Sequence, residues 1–299
     1  MKKNILIIGC GLIGSSLLRA ITKKKISKKI FVYEKSKINI LKIKKLKLRC
    51  VVTDDLQSII PKIDLIIFCT PMSEYGKIIL KINKYLLSKT IITDVGSTKE
   101  SSLKLVEKKL KKGISWIPSH PISGSEVSGP EFGDSNLFLN KWCILIKEQN
   151  SNKKNLIFLS KFWKKIGSKV VIMDSKKHDI VFSMTSHLPH LIAYNLVKTA
   201  QDFEKQKKYD LVKFSAGGLR DFSRIAASNE IMWRDILFNN QDNISKAIDL
   251  FIKNLKSFKK DINFRNNKSL LKKLVDTKKV RKKIIKSKQD VNKPDFGRN

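Results

Sequence analysis

An α/β fold, a doubly wound and mostly parallel sheet followed by an all-α domain, is predicted by three observations. Short β-rich runs alternate with helix-length stretches through the first 174 residues. Several of these runs are continuously apolar, as strands covered on both faces must be. After Asp174 the β signal stops and only helical periodicity continues.

The predicted strands are NILIIG (4–9), KIFVYE (29–34), DLIIFCTP (64–71), TIITDVG (90–96), ISWIPSHP (114–121), KWCILIKE (141–148) and KVVIMD (169–174). Helices are expected between them at 12–25, 36–48, 73–87, 98–112 and 151–167. Residues 176–208 and 223–260 carry the 3.6-residue period, and Pro189 and the Gly217-Gly218 pair are expected to break it. The chain therefore divides into 1–174, a helical domain at 175–264, and a basic helix and tail at 265–299.

Composition bounds the function. A chain of 299 residues is long enough for two cores, and a hydrophobic share of 41% excludes wholesale disorder. The 62 Lys and Arg against 26 Asp and Glu give a net charge of +36. The excess is mostly lysine spread along the whole chain, and no groove-reading motif accompanies it. It reads as compositional drift rather than a nucleic-acid footprint, though a positive field still speeds the arrival of anionic ligands. Cys10, Cys50, Cys69 and Cys143 show no metal or disulfide spacing and fit reduced thiols of a cytoplasmic protein. No metal site is expected. The apolar run before Cys10 is too short for a secretion signal, and no later run reaches the ~20 residues of a membrane span.

The first chemical motif is GCGLIGSS, which follows a strand and opens a helix. Gly9 permits a tight turn, Gly11 lets the backbone approach a pyrophosphate, and Gly14 lets helix and strand pack closely. With Leu12 and Ile13 these residues begin a helix whose free N–H groups suit phosphates. Glu34 ends the second strand about 20 residues after Gly14, where a carboxylate accepts the ribose hydroxyls. This is the fingerprint of a Rossmann-type dinucleotide site. It favours NAD; Lys35 and Lys37 leave NADP possible. Thr70-Pro71 and Ser97 follow the third and fourth strands, at the edge where such sheets bind ligands. Ser97 is placed toward the nicotinamide half, and Thr70 either faces it too or only caps its strand.

The second motif is PSHPISGSEVSGPEFG (118–133), a polar loop at the same edge that carries His120. Beside a nicotinamide, a histidine can take a hydroxyl proton as hydride leaves the same carbon; standing alone, it would more often be a satisfied loop residue. The third lies at 187–235, where His187, His190, Arg220, Asp221, Arg224, Trp233, Arg234 and Asp235 interrupt otherwise helical sequence. Such residues suit a pocket for a small anion. His178 and His187 read as structural or exposed. Arg220 reads as a second anion contact or a solvated charge, and Arg234 with Asp235 as an interhelical ion network.

GCGLIGSSL, DVGSTK, SHPISGSEVSGPEFG, SHLPHLIAYN and GGLRDFSRIAASNEIMWRDI, in this order, resemble the prephenate/arogenate dehydrogenase family of tyrosine biosynthesis over roughly residues 4–260. The resemblance implies an NAD-dependent oxidative decarboxylation of a small anionic cyclohexadienyl substrate, prephenate or arogenate. It also implies a homodimer formed through the helical domain. His120 matches the family's proton-accepting histidine and Ser97 the serine beside it. Arg224 matches the arginine for the ring carboxylate, His190 a residue near the substrate side chain, and Trp233 a pocket-lining aromatic. Glu126 and Asp221 match acidic positions at the pocket mouth. Relatives often carry alanine and threonine where Ser123 and Ser125 stand. Two other readings compete: a general β-hydroxyacid dehydrogenase, for which the loop and the DFSR segment would have no role, and a nucleotide-sensing or nucleic-acid-binding protein.

Overall fold

The computed structural model describes residues 3–287. The chain starts with β1 (Lys3–Ile8), α1 (Leu12–Lys23), β2 (Ser27–Tyr33), α2 (Lys37–Lys45), β3 (Val51–Thr53) and the single turn α3 (Leu56–Ile59). It continues through β4 (Leu65–Phe68), α4 (Tyr75–Ile82), β5 (Ile91–Asp94), α5 (Glu100–Lys109) and β6 (Ser115–Trp116). These six strands form one parallel sheet in the order β3-β2-β1-β4-β5-β6. The direction of winding reverses between β1 and β4, and such a switch point opens a crevice at the strands' carboxyl ends.

Period-two alternation sends the same strands into two cores. Ile5, Ile7, Leu65 and Ile67 face Leu17, Leu18 and Trp163. Leu6, Ile8, Ile66 and Phe68 face Tyr75, Ile79 and Val106 on the other side. β3 is absent from the predicted strands: three residues, none of them buried, leave no apolar signature.

The predicted strand 114–121 is corrected. It divides between two sheets: β6 ends the first, and β7 (Ser119–Pro121) begins a second with β8 (Trp142–Ile146) and β9 (Lys169–Met173). Pro118, between them, has no N–H to continue a ladder. β7 runs antiparallel to β8, with His120 opposite Ile144, and β9 runs parallel to β8. Helix α6 (Lys153–Ile166) connects β8 to β9, capped by Asn152 and ended by left-handed Gly167.

Asp174 caps α7 (Ser175–Phe182) through the Lys177 N–H. A π turn (Ser183–His187) then runs directly into α8 (Leu188–Lys207). Pro189 therefore does not break the helix as expected. It lies in the first turn of α8, just after the π turn, whose wider winding accommodates a residue without an N–H. Gly217-Gly218 does lie at a break: α8 ends at Lys207, and α9 (Gly217–Ala226) opens on the pair, ahead of α10 (Glu230–Asn239) and α11 (Gln241–Asn263). The expected basic helix is α12 (Asn267–Lys286); the end of the expected tail, 288–299, lies outside the described residues.

The two halves share a core. Trp233 and Ile236 of α10 belong to the cluster around Tyr75 and Phe68. Asp235 accepts a hydrogen bond from the Ser73 N–H at 3.0 Å and pairs with Arg234 at 2.7 Å. The expected interhelical role of that pair thus becomes a staple to the loop after β4.

At Gly14 an added Cβ would lie 2.2 Å from the Gly9 carbonyl oxygen, a backbone atom. Gly14→Ala is expected to lower stability by about 2 kcal/mol or more. Urea unfolding without cofactor checks this; an unchanged midpoint would contradict the packing argument.

Candidate active site

The glycine turn lies at the sheet's switch point. Gly9 takes φ +86°, and a Cβ there would lie 2.7 Å from Thr70 Cγ2 across the crevice. Gly11 is different: a Cβ there would meet nothing within 4 Å. Its lack of a side chain serves open space above the N-terminus of α1, which carries no side-chain cap. Glu34 is held by its own turn, accepting from the Cys10 N–H at 2.8 Å and the Ser36 N–H at 2.9 Å. Gly9, Glu34, Lys35, Thr70, Pro71 and Lys77 help line a cavity of about 400 Å³. The bare turn, the carboxylate at its rim and the adjoining cavity fit a dinucleotide. Leu12 and Ile13 form the first turn of α1 above it.

A buried ion pair lies past β5. The Lys99 ammonium donates to Asp94 Oδ2 at 2.7 Å, and both side chains are fully buried. The same ammonium donates to the Ser119 carbonyl at 2.7 Å. Asp94 accepts in addition from Tyr75 OH at 2.9 Å, Gly96 N–H at 3.0 Å and Ser119 N–H at 3.0 Å. Its carbonyl accepts from the Ser119 hydroxyl at 2.5 Å. Every polar group of Ser119 is therefore held, and His120 follows it. Burial pushes the Lys99 ammonium below the ordinary lysine range, opposed by Asp94.

His120 is buried, with Nδ1 2.8 Å from Nε2 of His178. His178 Nδ1 lies 2.8 Å from Asp179 Oδ1. Asp179 also accepts from the N–H groups of Lys99 and Glu100, both at 2.9 Å, and so caps α5. Both expectations for His178 and His187 are sharpened, since each is fully buried. His187 Nδ1 accepts from Asn240 Nδ2 at 3.1 Å, and its ring lies near the backbone of Ser97. Burial pulls the His187 ring down to about 4. Ser97 itself is half-buried, three residues beyond Asp94.

His190 Nδ1 donates to the Ser186 carbonyl at 2.9 Å, and its ring stacks on Trp233 with centroids 3.9 Å apart. Arg224 on α9 lies 3.7 Å from Glu126, six residues after His120, so α9 is tied to the His120 loop. Asp221 and Arg220 are on the exposed side of α9, and among the described residues Asp221 forms no ion pair. Five buried polar atoms around this region have no hydrogen-bond partner: Thr70 Oγ1, Ser123 Oγ, His187 Nε2, Arg224 Nε and Trp233 Nε1. Buried polar atoms left without partners are costly, so each is a group available to a polar ligand.

A family model described as "Prephenate dehydrogenase, nucleotide-binding domain" matches residues 17–172, and one described as "Prephenate dehydrogenase, dimerization domain" matches 174–276. The chain belongs to the prephenate dehydrogenase family. Cyclohexadienyl dehydrogenase of Zymomonas mobilis is 34% identical over 93% of this chain and 95% of its own. Prephenate dehydrogenase of Bacillus subtilis is 34% identical over 85% of this chain and 69% of its own. Prephenate dehydrogenase of Aquifex aeolicus, solved with hydroxyphenyl propionate and NAD+, has 32% identity and a TM-score of 0.89, covering 95% of this chain and 99% of that one. The first family match begins after the glycine turn, so in this family member the geometry of Gly9, Gly11 and Gly14 supports the nucleotide site independently. His178 and Asp179 were not among the predicted site residues. The signal that could have found them was their adjacency, a histidine beside an acid just after the last strand.

Removing one partner from a buried ion pair strands the other. Lys99→Met is expected to cost about 3–5 kcal/mol, read as a lower urea midpoint. A loss below 1 kcal/mol would show that Asp94 is satisfied without the ammonium.

Proposed function

We propose that this protein oxidatively decarboxylates prephenate to 4-hydroxyphenylpyruvate with NAD, the dehydrogenase step of tyrosine biosynthesis. The observation that carries this reading is the 3.7 Å ion pair between Arg224 of the helical half and Glu126 of the loop that follows His120 in the nucleotide-binding half. It ties the helix that carries the anion-binding cation to the loop that carries the base. NAD bound along Gly9, Gly11, Gly14 and Glu34 supplies the acceptor for the hydride that leaves C4 of the substrate.

The chain's own residues supply the rest. His120 takes the C4 hydroxyl proton through Nε2, and Ser97 completes the polar surroundings of that oxygen. Oxidation at C4 leaves a dienone whose ring carboxylate is vinylogous to a β-keto acid. Its C–C bond breaks, carbon dioxide leaves, and the electron pair aromatises the ring to a phenolate, which recovers the proton from His120. Arg224, with Nε unpartnered and a planar fork, fixes the ring carboxylate before it leaves. His190, held flat on Trp233, contacts the substrate side chain. Glu126, paired with Arg224, gates the mouth, and Asp221 stands at its outer edge.

We also assign a homodimer to the helical half. Phe203, Phe214, Phe238, Leu255, Phe264 and Leu271 are exposed there, and apolar surface of that extent suits a second copy. Four free thiols fit the cytoplasm. Among the described residues no helix is long and apolar enough to cross a membrane.

Assays of prephenate and arogenate, each with NAD and NADP, test the reading; prephenate with NAD is expected to give 4-hydroxyphenylpyruvate, and no turnover with any pair would contradict it. His120→Asn is expected to abolish turnover with the NAD Kd nearly unchanged. Arg224→Ala should raise KM for prephenate by about 100-fold, the loss of a charged hydrogen-bonded pair.

Burial, and after it the neighbouring His178 and the Lys99 ammonium, hold His120 well below the usual 6.5 of histidine. The neighbouring imidazoles add to this only when protonated, and burial depresses both. The neutral base is therefore the form present at neutral pH. kcat/KM should hold level as pH falls through 6.5 and drop only below it; an acid limb centred above 6.5 would contradict this.

A further inference from the structure

We infer that Asp179 and His178, both from the helical half, are positioning residues that place the proton of His120 on Nδ1 and leave Nε2 bare for the substrate hydroxyl. The inference rests on His120 being the base. It follows from which atoms can donate. Asp179 is an acceptor: Oδ1 receives the Lys99 N–H and Oδ2 the Glu100 N–H, both backbone donors with no alternative role. The atom of His178 that faces Oδ1 at 2.8 Å, Nδ1, must therefore carry a hydrogen. A neutral His178 then has its lone pair on Nε2. That atom lies 2.8 Å from His120 Nδ1, which must be the donor. The lone pair of His120 is left on Nε2.

Each member is immobilised. Asp179 is fixed by the first turn of α5, and its carbonyl accepts from Asn240 Nδ2 at 2.8 Å. His178 lies over Phe182 with centroids 4.5 Å apart, and His120 contacts the same ring at 4.9 Å. The titratable and charged groups facing His120 from the surrounding elements are His178 of α7, Lys99 ahead of α5, His187 of the π turn and Cys143 of β8, whose thiol meets the His120 backbone. Among them only His178 is hydrogen-bonded to the ring. When His120 accepts the substrate proton, its Nδ1–H becomes a donor from a cation, and that bond to His178 strengthens. The base is thus competent only while α7 is docked against β7.

Steady-state kinetics and pH profiles of His178→Phe, His178→Gln and Asp179→Asn test the relay, with His120→Asn as reference. His178→Phe keeps the ring and the cap of α5 but removes the acceptor. Asp179→Asn keeps the shape but lets an amide donate to His178 Nδ1, which reverses both tautomers. Each is expected to lower kcat at least ~100-fold, with KM within ~3-fold and the NAD Kd within ~2-fold. The acid limb of kcat/KM moves to lower pH, because the cation has lost its acceptor. His178→Gln, which keeps an acceptor within reach, recovers at least ~10-fold of the kcat lost in His178→Phe. The relay is overturned if His178→Phe and Asp179→Asn keep kcat within ~3-fold with the acid limb unmoved. It is equally overturned if Gln and Phe lose kcat alike in step with a falling Tm, the mark of a purely structural role. Turnover surviving in His120→Asn would instead remove the base assignment itself.

Discussion

The fully buried Asp94–Lys99 pair is the constraint on which the site depends. Two charges cannot be removed from water cheaply, and such a pair persists only when its remaining donors and acceptors are used. Tyr75 and Gly96 donate to Asp94, and the other bonds converge on Ser119. Asp94 takes the Ser119 N–H, its carbonyl takes the Ser119 hydroxyl, and Lys99 takes the Ser119 carbonyl. The pair therefore bridges the two sheets and fixes the backbone from which His120 projects. The same short segment also begins α5, whose first N–H groups bind Asp179. One buried knot thus holds the base from below and its neighbours from the side.

Catalytic geometry arises between the halves. The nucleotide-binding half offers the glycine turn, Glu34 and His120, while the helical half offers His178, Asp179, His190, Arg224 and Trp233. Contacts between them are polar at the site and apolar beneath it, where Trp233 and Ile236 enter the core of the sheet. Trp233 joins both kinds of contact, belonging to the sheet's core and stacked on His190. The π turn belongs to the same economy of placement. It lies between α7 and α8, so His178 and His190 can both be presented from what is nearly one continuous helix, with His187 between them.

Much of the fold was legible because its causes are local. Continuous apolar runs mark two-sided strands, and GCGLIGSS marks a turn that only glycine fits. The split of 114–121 was hidden, since ISWIPSHP reads as one β-rich run and the decisive event, capture of Ser119 by Asp94 and Lys99, is tertiary. Pro189 read as a break because a proline in a helix normally is one; the π turn that accommodates it has no sequence period. His178 was missed for a similar reason. In SKKHDIVF it is flanked by lysines and an aspartate, the pattern of a solvated helix face. Its burial arises only when α7 meets β7. Lys99, which looks like one more lysine in a chain full of them, was invisible for the opposite reason: composition masked it.

The central claim, that the His120 ring is neutral and bare at Nε2, is most directly measured by long-range 1H–15N correlation of the histidine rings in uniformly labelled protein at neutral pH. Loss of one ring pattern in His120→Asn assigns the signal. Protonated Nδ1 with unprotonated Nε2 is expected for both His120 and His178. A proton on Nε2 of His120, or a doubly protonated ring, would contradict it.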